Sequence, residues 1–237
     1  MRQFPPNYKW TTICMMGVFV GLLLSTFSDR VSSQAGYLWG ATGVGFDALT
    51  PSEQERVLAA VMSTHSEVAP AAASMPEVLL VERHQESKAA YNTGHWPRRG
   101  DAYIYDYATD TLLFALINLA SGEVDAQETY QNVQLPLTQN EIDRALEIAY
   151  ADDDLRTELG ARFQKLTGEM LLDLNQLKVK AFVFWADSMP ADLNVDAQQC
   201  GLHRCAQVLI FTHEDVAFEM QPIVDLSAGR VVQVLGQ

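Results

Sequence analysis

The feature that most constrains this chain is a passage that occurs twice. Leu49-Thr50-x-x-Glu53-x-x-Arg56-x-Leu58 returns as Leu137-Thr138-x-x-Glu141-x-x-Arg144-x-Leu146. Further on, Asn118-Leu119-Ala120-Ser121-Gly122-Glu123-Val124 returns as Asp225-Leu226-Ser227-Ala228-Gly229-Arg230-Val231. Each copy reads as a capped helix, an apolar strand, an Arg-led strand and a hairpin closing on x-Leu-x-x-Gly-x-Val. Two copies of one small α+β module fill nearly everything after the N-terminal segment, which leaves no room for a separate catalytic domain.

The expected division of the chain follows. Residues 1–35 are a signal peptide or membrane anchor and 36–48 a Gly-rich linker. Residues 49–134 form the first α+β unit. Residues 135–237 form the second, with a helical insertion at 152–177. A length of 237 residues and an apolar share of 48% suffice for two real cores. In each unit a helix lies on an antiparallel sheet.

The first 35 residues read as an address. Arg2 and Lys9 precede an apolar run from Thr11 to Phe27, which is long for a signal-peptide core and slightly short for a comfortable membrane span. Small residues at Ser33-Gln34-Ala35 suit a signal peptidase. The charge bias places the N-terminus in the cytoplasm and the body outside, in the periplasm or beyond the cell. Cleaved signal and retained anchor both stand as readings, and the second ties the chain to the membrane. Cys14 lies inside the apolar run, which argues against a lipoprotein anchor.

The formal charge is −14, and about −16 after residue 35. Such a field repels phosphate backbones and anionic lipid surfaces, so a nucleic-acid partner is not expected. It tolerates cations and basic proteins, although solubility alone accounts for an acidic surface.

Thr50-Pro51-Ser52-Glu53 and Thr138-x-x-Glu141 are capping boxes. The first opens a helix to about Thr64 whose predicted buried stripe is Val57, Leu58, Val61 and Met62. The second opens a helix with Ile142, Ala145, Leu146 and Ala149 on one face. Strands are expected at Val78 to Glu82, Asp101 to Tyr107 and Thr111 to Leu119, then a third after the Ser121-Gly122 turn. Lys88 to Gly100 reads as an exposed connection. Within the insertion, Leu155, Leu159, Phe163 and Leu166 form one stripe. Strands at Val179 to Trp185, Val208 to Phe211, Val216 to Leu226 and Val231 to Leu235 complete the second sheet.

Several of these residues resemble a known family. Asp101-Ala-Tyr-Ile-Tyr-Asp-Tyr-Ala-Thr-Asp-Thr, followed by Ile117-Asn-Leu-Ala-Ser-Gly-Glu-Val124, resembles the second domain of copper amine oxidases. Leu137-Thr138 with Glu141, Arg144 and Ala145, followed by Ala151-Asp152, resembles the helix opening that family's third domain. The stretch from Pro222 to Val234 resembles the way the third domain closes. The resemblance runs from about residue 50 to the C-terminus and implies two tandem cystatin-like units without the catalytic domain. In the family a β-sandwich follows, carrying copper and a quinone, whereas this sequence ends at Gln237. Tyr105-Asp106 follows Ile104, so it is not set as a quinone precursor. His65, His84, His95, His203 and His213 contain no His-x-His pair. No catalytic residue carries over, and the chain is expected not to be an enzyme.

Cys200-Gly201-Leu202-His203-Arg204-Cys205 is the one dense group of soft ligands. In an oxidising compartment, Cys200 and Cys205 most simply form a disulfide with His203 exposed beside it. Alternatively Cys200, His203 and Cys205 hold copper or zinc, with His213 or Met189 as a fourth ligand, or the two thiols are redox-active. Glu82-Arg83-His84 with His95-Trp96 suggests a pocket or simply a strand end. Asp152-Asp153-Asp154 reads as a solvated charge run. Tyr103, Tyr105 and Tyr107 alternate along a strand and share one sheet face. The expected function is a non-catalytic extracytoplasmic module that binds another protein, with no cofactor. A copper or zinc protein is the alternative, and amine-oxidase-like copper and quinone binding without activity is a third reading.

Overall fold

The computed structural model describes residues 46–65, 76–188 and 193–236, which belong to one compact unit. The apolar run from Thr11 to Phe27, most of the 36–48 linker and Met189 lie outside the described residues. Among the described residues, no helix is long and apolar enough to cross a membrane.

The architecture is α+β, with two four-stranded antiparallel sheets, each in sequential strand order. The first sheet comprises β1 (Glu77–Arg83), β2 (Arg99–Asp106), β3 (Thr111–Asn118) and β4 (Val124–Gln131). Helix α1 (Pro51–His65) lies on one of its faces. Val57 and Val61, four residues apart and therefore on one side of the helix, pack against Ala102, Ile104, Leu113, Ala115 and Ile117. Gly100 permits this approach, because a Cβ there would lie 2.5 Å from Val57 Cγ2. Met62, expected in the same stripe, is 40% exposed: it follows Val61 by one residue and so turns about 100° away from the sheet.

The segment expected to be an exposed connection contains a short helix, α2 (Lys88–Asn92), capped by the Ser87 side chain. Its Tyr91 hydroxyl accepts from the Glu86 amide and from Arg83, and its ring meets Trp96 and Phe46. Aromatic packing gives order to a stretch whose composition reads as loop.

The second half has helices α3 (Gln139–Ala151) and α4 (Asp153–Thr167). Its sheet comprises β5 (Leu177–Val183), β6 (Cys205–Thr212), β7 (Gln221–Asp225) and β8 (Arg230–Leu235). The strand expected from Val216 to Leu226 begins only at Gln221. Asp215 takes φ 63°, and the stretch after it meets β6 through isolated bonds, from the Thr212 amide to the Val216 carbonyl and from the Phe218 amide to the Ile210 carbonyl, while the Phe218 and Met220 side chains enter the core. Trp185 likewise falls beyond the end of β5. Helix α4 buries Leu155, Leu159 and Phe163, whereas Leu166 is 48% exposed. The helix ends one residue past it, at Thr167, and is capped by Gly168 with φ 78°. Asp152, Asp153 and Asp154 are exposed, as a solvated charge run should be; Asp152 also caps α4 by accepting from the Leu155 amide, and Asp153 pairs with Arg156.

The tyrosine stripe explains how the halves meet. Tyr105, Tyr107 and Leu112 point away from α1 and share one buried cluster with Ala145, Leu146 and Ala149 of α3 and with Ala206, Val208 and Val224 of the second sheet. Burial raises the Tyr105 and Tyr107 hydroxyls well above the ordinary phenol range, with Asp110 and Glu141 adding to the effect.

Candidate functional site

The two helix starts are built alike. Thr138 and Glu141 exchange the reciprocal bonds of a capping box, and Thr50 and Glu53 do the same. Each glutamate then receives an arginine that precedes a strand. Arg98 donates to Glu53 from Nε at 2.6 Å and Nη2 at 2.9 Å. Arg204 donates to Glu141 from Nε and, at 2.8 Å, from Nη2. Arg98 also bonds the Asp47 and Ala48 carbonyls, and Arg204 the Leu135 and Pro136 carbonyls. The Arg98 bond holds the Glu53 carboxyl down to about 2. Burial alone would raise Glu141, but the Arg204 guanidinium keeps it below the usual carboxylate range.

The closing turns are also alike. Leu119 donates its amide to the Arg98 carbonyl and Leu226 to the Arg204 carbonyl, at 3.0 and 2.8 Å. Gly122 and Gly229 both take positive φ, 76° and 67°, and donate to the carbonyls of Asn118 and Asp225.

On the second turn sits the Cys200 to Cys205 loop. The two sulfurs are joined in a disulfide, and both residues are buried. Gly201 carries φ 112° and lies against the Trp185 ring, where a Cβ would meet it at 3.0 Å. His203 is not simply exposed beside the bridge, as the sequence suggested. Its Nδ1 lies 2.7 Å from Asp225 Oδ2, and its Nε2 lies 3.8 Å from Asp110 Oδ2 on the β2–β3 turn. Asp225, followed by Asp110, pushes the His203 pKa up. Asp110 also accepts from Tyr105 Oη at 3.1 Å and from Ser227 Oγ.

Arg204 is the residue that composition-based reasoning passes over. Its side chain is fully buried, reaches Glu141 and Gln134, and lies over the Tyr105 ring with Cζ 5.3 Å from the centroid. Tyr107 completes the group by donating to Glu141 at 2.7 Å. The signal available in the sequence was a charged residue placed directly before an apolar strand, in the same position as Arg98.

The proposed metal ligands are not gathered. The cysteine sulfurs are consumed by their bond, and the His203 Nδ1 faces a carboxylate. His213 lies beyond the other end of the eight-residue β6, roughly 25 Å along the strand, and faces the Asn175 carbonyl at 2.8 Å. Among the described residues, no group of three or more His, Cys, Asp or Glu side chains is placed to hold a metal ion. His84 pairs with Asp101 at 2.9 Å. Burial raises the Asp101 carboxyl, an effect that His84 opposes.

No protein-family model matches this sequence, and neither does any curated protein. The fold is similar to part of a copper-containing benzylamine oxidase from Hansenula polymorpha, with a TM-score of 0.50 and 15% identity. That match covers 80% of this chain and 29% of the oxidase, so the chain spans less than a third of the protein it resembles. An Aspergillus nidulans amine oxidase gives a TM-score of 0.41 at 13% identity, over 76% of this chain and 26% of that one.

Proposed function

We propose that this chain is a non-catalytic module that works by binding another protein on the extracytoplasmic side. In this reading its two halves are tandem copies of a cystatin-like unit related to the N-terminal domains of copper amine oxidases. The observation that carries it is the state of the candidate site. The polar groups most suited to chemistry, His203, Arg204, Glu141, Asp225 and Tyr107, are spent on one another at the contact between the two halves. A site built this way holds two sheets in one orientation and leaves the outer surfaces to do the work.

The same reading assigns no cofactor, with Cys200 and Cys205 kept oxidised, which fits delivery to the periplasm or the cell exterior. The N-terminal apolar run supplies the membrane tie if it is retained. Affinity capture of the tagged full-length chain from solubilised membranes, at native abundance, is expected to recover a stoichiometric protein partner. Recovery of this chain alone overturns the reading. An amine-dependent peroxide assay with added copper is expected to stay flat, and one equivalent of copper or zinc in the native mass would reverse the assignment.

A further inference from the structure

Among the described strands, β4 is the most open. From Asp125 to Gln131 all its residues are exposed, and it forms one end of the first sheet. Beyond the bulge opposite Leu116 and Ile117, it pairs with β3 without interruption from Ala126 to Gln131, which leaves its far edge unpaired among the described residues. Other outer strands are guarded. Strand β1 has a bulge between Val78 and Leu80, β5 carries Lys178 and Lys180, and β8 is crossed by Asn194, which bonds the Val232 carbonyl. Strand β4 carries a bulge at its start and one charge, Glu128, within the paired stretch, but from Ala126 to Gln131 it has no bulge, lysine or crossing segment among the described residues.

Register assigns its side chains to faces. Ala126, Glu128 and Tyr130 stand opposite Leu116, Phe114 and Leu112, on the face turned away from α1. On that face Phe114 packs against Tyr103 at 5.2 Å between ring centroids, Leu80 is 41% exposed, and Tyr130 is 38% exposed. The second half covers Leu112, Tyr105 and Tyr107 and leaves Phe114, Tyr103 and Leu80 at the surface or half-buried. The charges at the strand are acidic: Glu123, Asp125 and Glu128. The nearby cation, Arg99, already pairs with Asp125 and Glu86.

We infer that β4 accepts an extended segment of a partner protein as a fifth strand, with apolar side chains beside Ala126 and Tyr130 and a lysine or arginine beside Glu128. Main-chain bonds supply the attraction, and the alternating faces supply the selectivity. A second copy of this chain is a poor occupant, because its β4 brings Asp125 and Glu128 and no lysine or arginine to the pairing, on a chain of net charge −14. The inference rests on the protein-binding reading and names its surface.

The test uses the full-length chain and two labelled peptides, acetyl-Thr-Val-Thr-Lys-Thr-Val-Thr-amide and its analogue with Glu in place of Lys. The Lys peptide is expected to slow hydrogen exchange selectively over residues 124–131. Glu128→Lys should weaken it by about fivefold, the size of one exposed charge pair, and shift preference to the Glu peptide. Tyr130→Ser, also at an exposed position, should weaken both peptides. Protection confined to other strands, or equal affinities in the Glu128→Lys variant, overturns the assignment. Capture from membranes separates the two levels. A partner recovered equally by the parent chain and a Glu128→Lys/Tyr130→Ser variant overturns the β4 site and leaves protein binding intact. No partner with either chain overturns both.

Discussion

Arg204 and Glu141, 63 residues apart, meet as an ion pair with both side chains fully shielded from solvent. Neither charge can be left alone there. Truncating one partner strands the other in a low-dielectric interior, which costs about 3–5 kcal/mol, whereas replacing both with apolar groups is close to neutral. Arg204→Leu is therefore expected to destabilise the fold by about that amount in urea titrations. Arg204→Leu combined with Glu141→Leu should recover much of the loss. Recovery will be incomplete, because Tyr107 then lacks its acceptor.

His203 should make stability depend on pH. It faces Asp225 on β7 and Asp110 on the β2–β3 turn, with Arg230 of β8 opposing them. Its folded pKa is raised, so its contribution is fully present below the ordinary histidine value of about 6.5 and fades as pH rises through the folded value. His203→Gln should thus be less stable than the parent chain at pH 6, with the gap narrowing under alkaline conditions. Thermal melts across that range measure it, and a gap that widens with pH contradicts the argument.

Features set by neighbours in sequence were legible beforehand. Thr138 and Glu141 form their cap within three residues, and Cys200 and Cys205 are close enough to pair by proximity alone. Arg204 was not legible as a site residue, because Glu141 comes into range only when the second sheet packs on α3. His203 read as an exposed residue beside the bridge, or alternatively as a metal ligand, for the same reason: its actual partners, Asp225 and Asp110, come from a distant strand and turn. Periodicity read both long stripes one residue too wide. Met62 and Leu166 are apolar and near the right spacing, but each lies where its helix no longer faces protein.

The Cys200–Cys205 bridge closes a loop of only six residues, so its effect through the unfolded chain is about 2 kcal/mol. Cys200→Ser with Cys205→Ser should lower the urea midpoint accordingly without abolishing folding. The parent chain is expected to be two hydrogens lighter than its reduced form by mass spectrometry. A shift well beyond that size would mean that the bridge also holds His203 and Arg204 in place.

Protection from exchange should be uneven along helix α4 and the segment after it. Leu155, Leu159 and Phe163 lie on one side, four residues apart, and all three are buried in the cluster that also holds Leu146 and Ala149 of α3. The stripe ends before Leu166, and the residues after Gly168 carry exposed Met170 and Leu172. Amide exchange should therefore be slow from Leu159 through Phe163 and fast from Glu169 to Asp173, because protection follows the buried contacts of the helix and not its apolar content. Phe163→Ala should cost about 3–5 kcal/mol, as expected for a large buried ring, and Leu166→Ala little. Fast exchange along the whole of α4 would show that the helix does not pack on α3, and the contrast between the two substitutions would vanish with it.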